Sequence, residues 1–206
     1  MIKSIVFDIG GVVIKEDAEK ARDILCDKFG INNFYFKKYT LDNLAKSYRG
    51  ELHYNDFFKG LVRELNLDKS HTDLVNEWVS AREKTSKLNQ KIVDLITELK
   101  KRNFVLGCLS NTTYLNDRVD IRKNIYELFN IKVLSNKIGI MKPEHNIYKN
   151  LLNRLKGNGI NPFEVLYIDN EEQNLIPARQ LGMNAIRFEN PAKLRKELIK
   201  LNILEK

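Results

Sequence analysis

Hydrophobic positions recur along this chain with two periods. Five short runs rich in apolar and β-branched residues, at 4–9, 104–109, 131–134, 165–168 and 184–188, have the near-continuous character of strands buried on both faces. Four of the five end in polar or glycine-rich turns. Between them apolar residues return at helical spacing, as in Ile92, Val93, Leu95, Ile96 and Leu99, and again in Ile147, Tyr148, Leu151, Leu152 and Leu155. Strands of this kind alternating with amphipathic helices predict an α/β fold, a doubly wound parallel sheet with helices on both faces. One stretch breaks the alternation. Between Val13 and Leu88 no run has strand character. Three segments there have helical period instead: 16–29 with Ala18, Ala21, Leu25 and Phe29; 54–65 with Phe57, Phe58, Leu61, Val62 and Leu65; 72–84 with Leu74, Val75, Trp78 and Val79. An all-helical insertion directly after the first strand stands over that strand's carboxyl end, the edge where open α/β sheets bind ligands. The expected organisation is a core of residues 1–14 and 86–206 and a helical cap of residues 15–85.

Polar residues at the strand ends add chemistry to this pattern. Asp8 closes the run Ser4-Ile5-Val6-Phe7 and is followed by Ile9-Gly10-Gly11. A carboxylate at that depth requires a partner or a task, and paired glycines let backbone turn sharply and approach a ligand. The second strand ends in Ser110-Asn111-Thr112, the third leads to Met141-Lys142-Pro143, and the fourth ends in Asp169-Asn170-Glu171-Glu172. Taken singly, Ser110-Asn111 reads as a turn and cap pair, Lys142 as a surface lysine, and Asp169 as the cap of a following helix. Taken together, a nucleophilic carboxylate, a hydroxyl, an ammonium and an acidic cluster on one sheet edge suit phosphoryl transfer, which needs an attacking oxygen, donors and a cation.

Composition changes this picture little. Lys and Arg number 35 against 27 acidic residues, a formal charge of +8. The lysines are spread along the chain with no basic run or aromatic-interleaved patch, so the charge reads as a solvated surface and no nucleic-acid partner is expected. Cys26 and Cys108 are too few and too far apart for a disulfide framework or a zinc site. His53, His71 and His145 are isolated and carry no metal-ligand spacing. No apolar stretch reaches spanning length, so no membrane partner is expected, and Met1-Ile2-Lys3-Ser4 runs straight into the first strand. A cytoplasmic location is expected.

The strand-end motifs resemble those of the haloacid dehalogenase-like hydrolase superfamily over nearly the full length. Phe7-Asp8-Ile9-Gly10-Gly11-Val12 resembles its first motif and Leu109-Ser110-Asn111-Thr112 its second. Met141-Lys142-Pro143-Glu144 with Ile147-Tyr148 resembles the third, and Tyr167-Ile168-Asp169-Asn170 with Asn174 and Leu181-Gly182 the fourth. The insertion is similar to the family's small helical cap, and the sugar-phosphate phosphatase-like branch is the nearest in pattern. The resemblance implies a phosphatase acting on a small-molecule phosphate ester. Asp8 would attack phosphorus to form an aspartyl-phosphate, Ser110 and backbone amides near Gly10, Gly11 and Asn111 would bind the phosphoryl oxygens, and Lys142 would neutralise charge. Magnesium would be held by Asp8, the Gly10 carbonyl and the Asp169-Asn170 cluster.

Two positions depart from the family pattern. Most family phosphatases carry an aspartate two residues after the nucleophile to protonate the leaving group, and Gly10 has no proton to give. Glu16 and Asp17 are the nearest acidic residues in sequence. Asn170 stands where many relatives carry a metal-binding carboxylate. These departures leave open a dehalogenase-type hydrolase, in which Asp8 would attack carbon, and a catalytically silent fold used for binding. In the cap, Tyr48-Arg49-Gly50-Glu51 reads as a polar turn that either faces the substrate or is solvated, and Trp78 reads as cap core. A monomer or a homodimer is equally compatible with the chain.

Overall fold

The computed structural model describes residues 1–15 and 17–205. The chain begins with β1 (Ser4–Phe7), β2 (Ile14–Lys15), α1 (Ala18–Phe29) and α2 (Asn33–Tyr48). It continues through α3 (Tyr54–Glu64), α4 (His71–Thr85), β3 (Lys87–Leu88), α5 (Gln90–Lys101) and β4 (Val105–Ser110). Next come α6 (Tyr114–Arg122), β5 (Ile131–Leu134), α7 (Ser135–Ile138) and α8 (His145–Lys156). The last elements are β6 (Val165–Asp169), α9 (Glu172–Gln180), β7 (Asn184–Arg187) and α10 (Pro191–Lys200).

Five strands form one parallel sheet in the order β5-β4-β1-β6-β7. Each of the five lies on a run that the apolar pattern marks as a strand. The sheet is buried on both faces because successive side chains alternate across it. Ile5 and Phe7 of β1, with Leu106 and Cys108 of β4 and Leu166 and Ile168 of β6, pack on one side with Ile92, Ile96 and Leu99 of α5 and Leu194 and Leu198 of α10. Val6, Leu109, Val165 and Tyr167 face the other side and meet Ile147, Tyr148 and Leu151 of α8 and Leu175 of α9. Cys108 is a fully buried core residue, and neither cysteine is bonded to the other. No helix among the described residues is long and apolar enough to cross a membrane.

Strand order reverses at β1, which pairs with β4 on one side and β6 on the other. The register sets Phe7 beside both Cys108 and Ile168, and the Asp8 amide donates to the Ile168 carbonyl at 2.8 Å. Asp8 therefore emerges at the point where flanking loops diverge and leave a crevice.

The segment between β1 and α5 differs in two respects from a strand-free run of three helices. A two-residue antiparallel ribbon, Ile14 with Leu88 and Lys15 with Lys87, ties its two ends together. Ribbons this short leave no periodicity to read. A fourth helix, α2, carries Phe36, Tyr39 and Ser47 inward while Phe34, Tyr35 and Leu41 stay exposed. Its apolar residues are distributed around the helix, which hides the 3.6-residue signal. The four helices share a cluster of their own, including Leu25, Phe36, Phe58, Leu61 and Leu74. Leu115 and Val119 of α6 complete that cluster, so the helical layer is seated on the α/β layer through α6.

Candidate active site

Backbone geometry delivers Asp8 to the crevice. After β1 the chain turns on Gly11, whose φ of +78° lies in the left-handed region, and the Gly11 amide donates to the Ile14 carbonyl at 2.8 Å. A Cβ at Gly11 would also sit 2.9 Å from the side chain of Asn170, so this loop closes onto β6 only because the position has no side chain. Both conditions require glycine here.

Lys142 is the hub of the site. Its Nζ is 2.8 Å from Asp8 Oδ1 and 2.7 Å from Asp169 Oδ2, and it donates to the Tyr167 hydroxyl at 3.2 Å. The lysine is only 2% exposed, far from the surface lysine that its sequence neighbours alone would imply. Burial works against its charge, but the two carboxylates outweigh that penalty and hold the ammonium above its ordinary range. Asn111 secures the loop that carries it: the Asn111 amide donates to the Lys142 carbonyl at 2.9 Å and accepts from the Lys142 amide at 2.7 Å. This is a two-way peptide clamp, a task for the Asn111 side chain that its place in a turn motif does not reveal.

Asp169 is fully buried, and both of its oxygens are engaged. Oδ1 accepts from the Glu171 amide at 2.8 Å and from Asn174 Nδ2 at 3.2 Å. Oδ2 accepts from Lys142, Asn174 and the Tyr167 hydroxyl. The helix-cap reading of Asp169 does not hold, because Glu171 is the N-cap of α9. The bond to the Glu171 amide orders the turn before the helix, and the carboxylate is committed to a buried ion pair. Tyr167 looked like one more apolar residue of its strand. The signal lay in spacing, because residues two apart on a strand share a face and Tyr167 stands two before Asp169.

Burial pushes the Asp8 carboxyl up to about 6 from 3.8, opposed by Lys142 and reinforced by Asp169. Both short contacts to Asp8, from Lys142 and from the Ile9 amide at 2.7 Å, fall on Oδ1. Two buried carboxylates share one ammonium, so ionisation of both leaves one negative charge without a buried counter-ion. Asn170 Oδ1 is buried with no hydrogen-bond partner, and Asp8, Gly10 and Asn170 line the same cavity. Oxygen donors around an uncompensated negative charge fit a hard divalent cation such as magnesium. Among the described residues no group of three or more His, Cys, Asp and Glu side chains is placed to hold a metal. Any cation here depends on carbonyl and amide oxygens as well as carboxylate.

The cavity has a volume of about 440 Å³. Ser110 and Asn111 line it from the end of β4, Lys142 from the loop before α8, and Leu44 and Tyr48 from α2 above. Asp8, Gly10, Ser110, Asn111, Lys142 and Asn170 are therefore brought together, while Gly11 supports the loop and Asp169 lies beneath it. Asp17, weighed as a proton donor, is exposed and accepts from the Lys20 amide at 2.9 Å to cap α1. Glu16 lies outside the described residues. Arg49 neither lines this cavity nor stands free in a loop. It makes a two-pronged ion pair with Glu144, at 2.9 and 3.2 Å, joining the helical layer to the Lys142 loop. Trp78 is partly buried against Phe36 and Phe58, with ring centroids 5.7 and 6.4 Å away. His53 accepts from the Asn55 amide at the start of α3 and His145 pairs with Gln180, both away from the crevice.

A family model for haloacid dehalogenase-like hydrolases matches residues 2–182. The chain belongs to that family. It is 33% identical over 120 residues to mouse bifunctional epoxide hydrolase 2, a match covering 55% of this chain and 21% of that protein. The chain spans between 21% and 39% of the length of the mammalian relatives it matches. It is 25% identical over 215 residues to D-ribitol-5-phosphate phosphatase of Bacteroides thetaiotaomicron, covering 96% of this chain and 97% of that one. A haloacid dehalogenase family enzyme from the same bacterium, solved with magnesium and inorganic phosphate, superposes with a TM-score of 0.75 at 24% identity. That superposition covers 92% of this chain and 95% of the other, and shares the same fold.

Proposed function

We propose that this hydrolase is a magnesium-dependent phosphatase of a small phosphorylated metabolite, working through an aspartyl-phosphate on Asp8. The observation that carries the reading is the buried Asp8–Lys142–Asp169 array, with the unpartnered Asn170 oxygen beside it. The Bacteroides phosphatase, similar over 97% of its length, and the magnesium–phosphate complex of a family member support it.

Lys142 and the Ile9 amide hold Asp8 by Oδ1, which leaves Oδ2 to attack phosphorus. The P–O bond to the alcohol breaks as the Asp8–phosphorus bond forms. Ser110 and the Gly10 amide donate to the phosphoryl oxygens, the Gly11 amide being held by the Ile14 carbonyl, and Lys142 offsets their charge. The departing alkoxide takes its proton from water in the cavity, since Gly10 supplies none. Water then attacks the phosphoryl group, releases inorganic phosphate and restores the carboxylate. Asp8, the Gly10 carbonyl and Asn170 would hold magnesium, while Asp169, saturated by its neighbours, positions Lys142 and the Asn170 loop. When bound, the ion offsets negative charge on the phosphoryl oxygens. The amide in place of a carboxylate gives the ion one charge fewer. The four-helix layer acts as the cap over this cavity.

Hydrolysis of p-nitrophenyl phosphate tests the reading. Turnover should require magnesium and fall at least about 10³-fold in Asp8→Asn, as expected on loss of a covalent nucleophile. Turnover that persists in EDTA or survives the substitution overturns it, and halide release from 2-haloacids without phosphatase activity would assign attack on carbon instead.

A further inference from the structure

A second cavity, of about 240 Å³, lies within the helical layer and adjoins the first. The two share Leu44, Tyr48 and Asn116 as a common wall. The inner cavity is charged and polar, whereas the outer one is walled by Phe36, Leu41, Leu44, Phe57, Phe58 and Trp78. Leu41 is 59% exposed, an uncovered large apolar side chain on the rim.

Several polar groups of the outer cavity are engaged by neighbouring residues. Arg22 donates to Asn33 at 2.7 Å and pairs with Glu19 at 3.6 Å, and Lys37 pairs with the same Glu19 at 3.9 Å. Arg82 is buried and not free. Thr40 donates to the Phe36 carbonyl at 2.9 Å, and Thr113 accepts from the Asn116 amide at 3.2 Å. A polyol would give up its water for few partners along a wall made mostly of rings and aliphatic side chains. An apolar group avoids that penalty and gains contact with the rings.

We infer that this outer cavity receives the alcohol portion of the substrate, and that the preferred ester carries an alkyl or arylalkyl chain rather than a polyol. The inference rests on the phosphatase reading and gives it a substrate class. Phosphorus sits at Asp8, and the chain leaves past Leu44 and Tyr48 into the aromatic cavity.

A series of n-alkyl phosphates tests this, because ethyl, butyl and hexyl esters share nearly the same leaving-group basicity and differ only in length. With saturating magnesium, kcat/KM should climb by roughly fourfold per methylene until the cavity is filled. Glycerol phosphate should fall below the butyl ester. Thr40→Phe, which adds bulk inside the outer cavity, should shrink the hexyl-to-ethyl ratio about tenfold or more, as lost burial of two methylenes predicts. Trp78 is the chain's single tryptophan, so hexanol should shift its emission in the wild-type protein, a readout independent of turnover and of whether Thr40→Phe folds. Turnover of esters with no rise along the series, a preference for glycerol phosphate, or an unmoved Trp78 emission overturns the inference and leaves the phosphatase reading standing. No hydrolysis of any ester overturns both.

Discussion

The sheet edge around Asp8 and the helical layer above it are built on opposite principles. At the sheet edge charge is buried and every partner is specified: Lys142 holds Asp8 and Asp169, Tyr167 and Asn174 hold Asp169, and Asn111 clamps the Lys142 peptide. Displacing one member there strands another in a low-dielectric interior, so the chemistry tolerates little variation. The helical layer has rings, exposed leucine and one two-pronged surface ion pair, Arg49 with Glu144. Apolar contact is non-directional, and away from the buried Arg82 such a surface can change shape without stranding a charge. We assign the reaction to the first region and the choice of substrate to the second.

Lys142→Met presses hardest on that contrast. Removing the shared cation leaves two buried carboxylates, so stability should drop by about 3–5 kcal/mol in denaturant unfolding, with turnover lost. A loss no larger than that of an average core substitution would show that the array is less tightly coupled than its distances imply.

Proton linkage supplies the next largest effect. The Asp8 carboxyl titrates near 6 in the folded metal-free protein and at 3.8 in its ordinary state, so the native chain holds this proton more tightly than the unfolded chain does. Native stability is therefore lost as pH rises from about 4 to about 6 and then levels off. In EDTA, Asp8→Asn should lack that slope and exceed the wild type above pH 6 by as much as about 3 kcal/mol, read from unfolding curves at several pH values. An equal slope in both proteins would place the titration elsewhere.

Gly11→Ala sharpens the role of the loop. It combines backbone strain with a Cβ driven against Asn170, whereas Gly159, with φ of +70°, has nothing within 4 Å and carries the strain alone. Both alanine variants should lose about 1–2 kcal/mol. Only Gly11→Ala should also raise the magnesium needed for half-maximal activity, by roughly tenfold or more, because it displaces a proposed ligand. Equal magnesium requirements would remove Asn170 from the metal site.

The smallest effect belongs to the helical layer. Arg49→Ala breaks a half-exposed ion pair and should cost at most about 1 kcal/mol of stability. Its effect should appear as a few-fold rise in KM with kcat nearly unchanged, measured by steady-state kinetics. A large fall in kcat would mean that this pair helps set the Lys142 loop.

Much of this was open to reading from the chain. The five sheet strands were visible because buried parallel strands are near-continuous apolar runs, and the polar residues at their ends announced a site. The two-residue ribbon at Ile14–Lys15 and Lys87–Leu88 was too short to carry a period, and α2 escaped because its apolar residues surround the helix. Arg49 could be placed in a turn but not against Glu144, which lies 95 residues away. Asp169 could be placed at a strand end, but not with both oxygens already taken.

The amino-acid sequence by itself determined the fold class and the position of Asp8, Ser110, Lys142 and Asp169 at strand ends. Periodicity records which side of an element is buried, and strand ends of a parallel sheet fall on one edge. Tertiary structure alone decided that Lys142 is shared by two carboxylates, that Asn170 keeps an unpartnered oxygen against Gly11, and that an aromatic cavity shares a wall with the one holding Asp8. Those facts depend on side chains from distant segments meeting at distances of a few ångströms, and local pattern carries no record of such meetings.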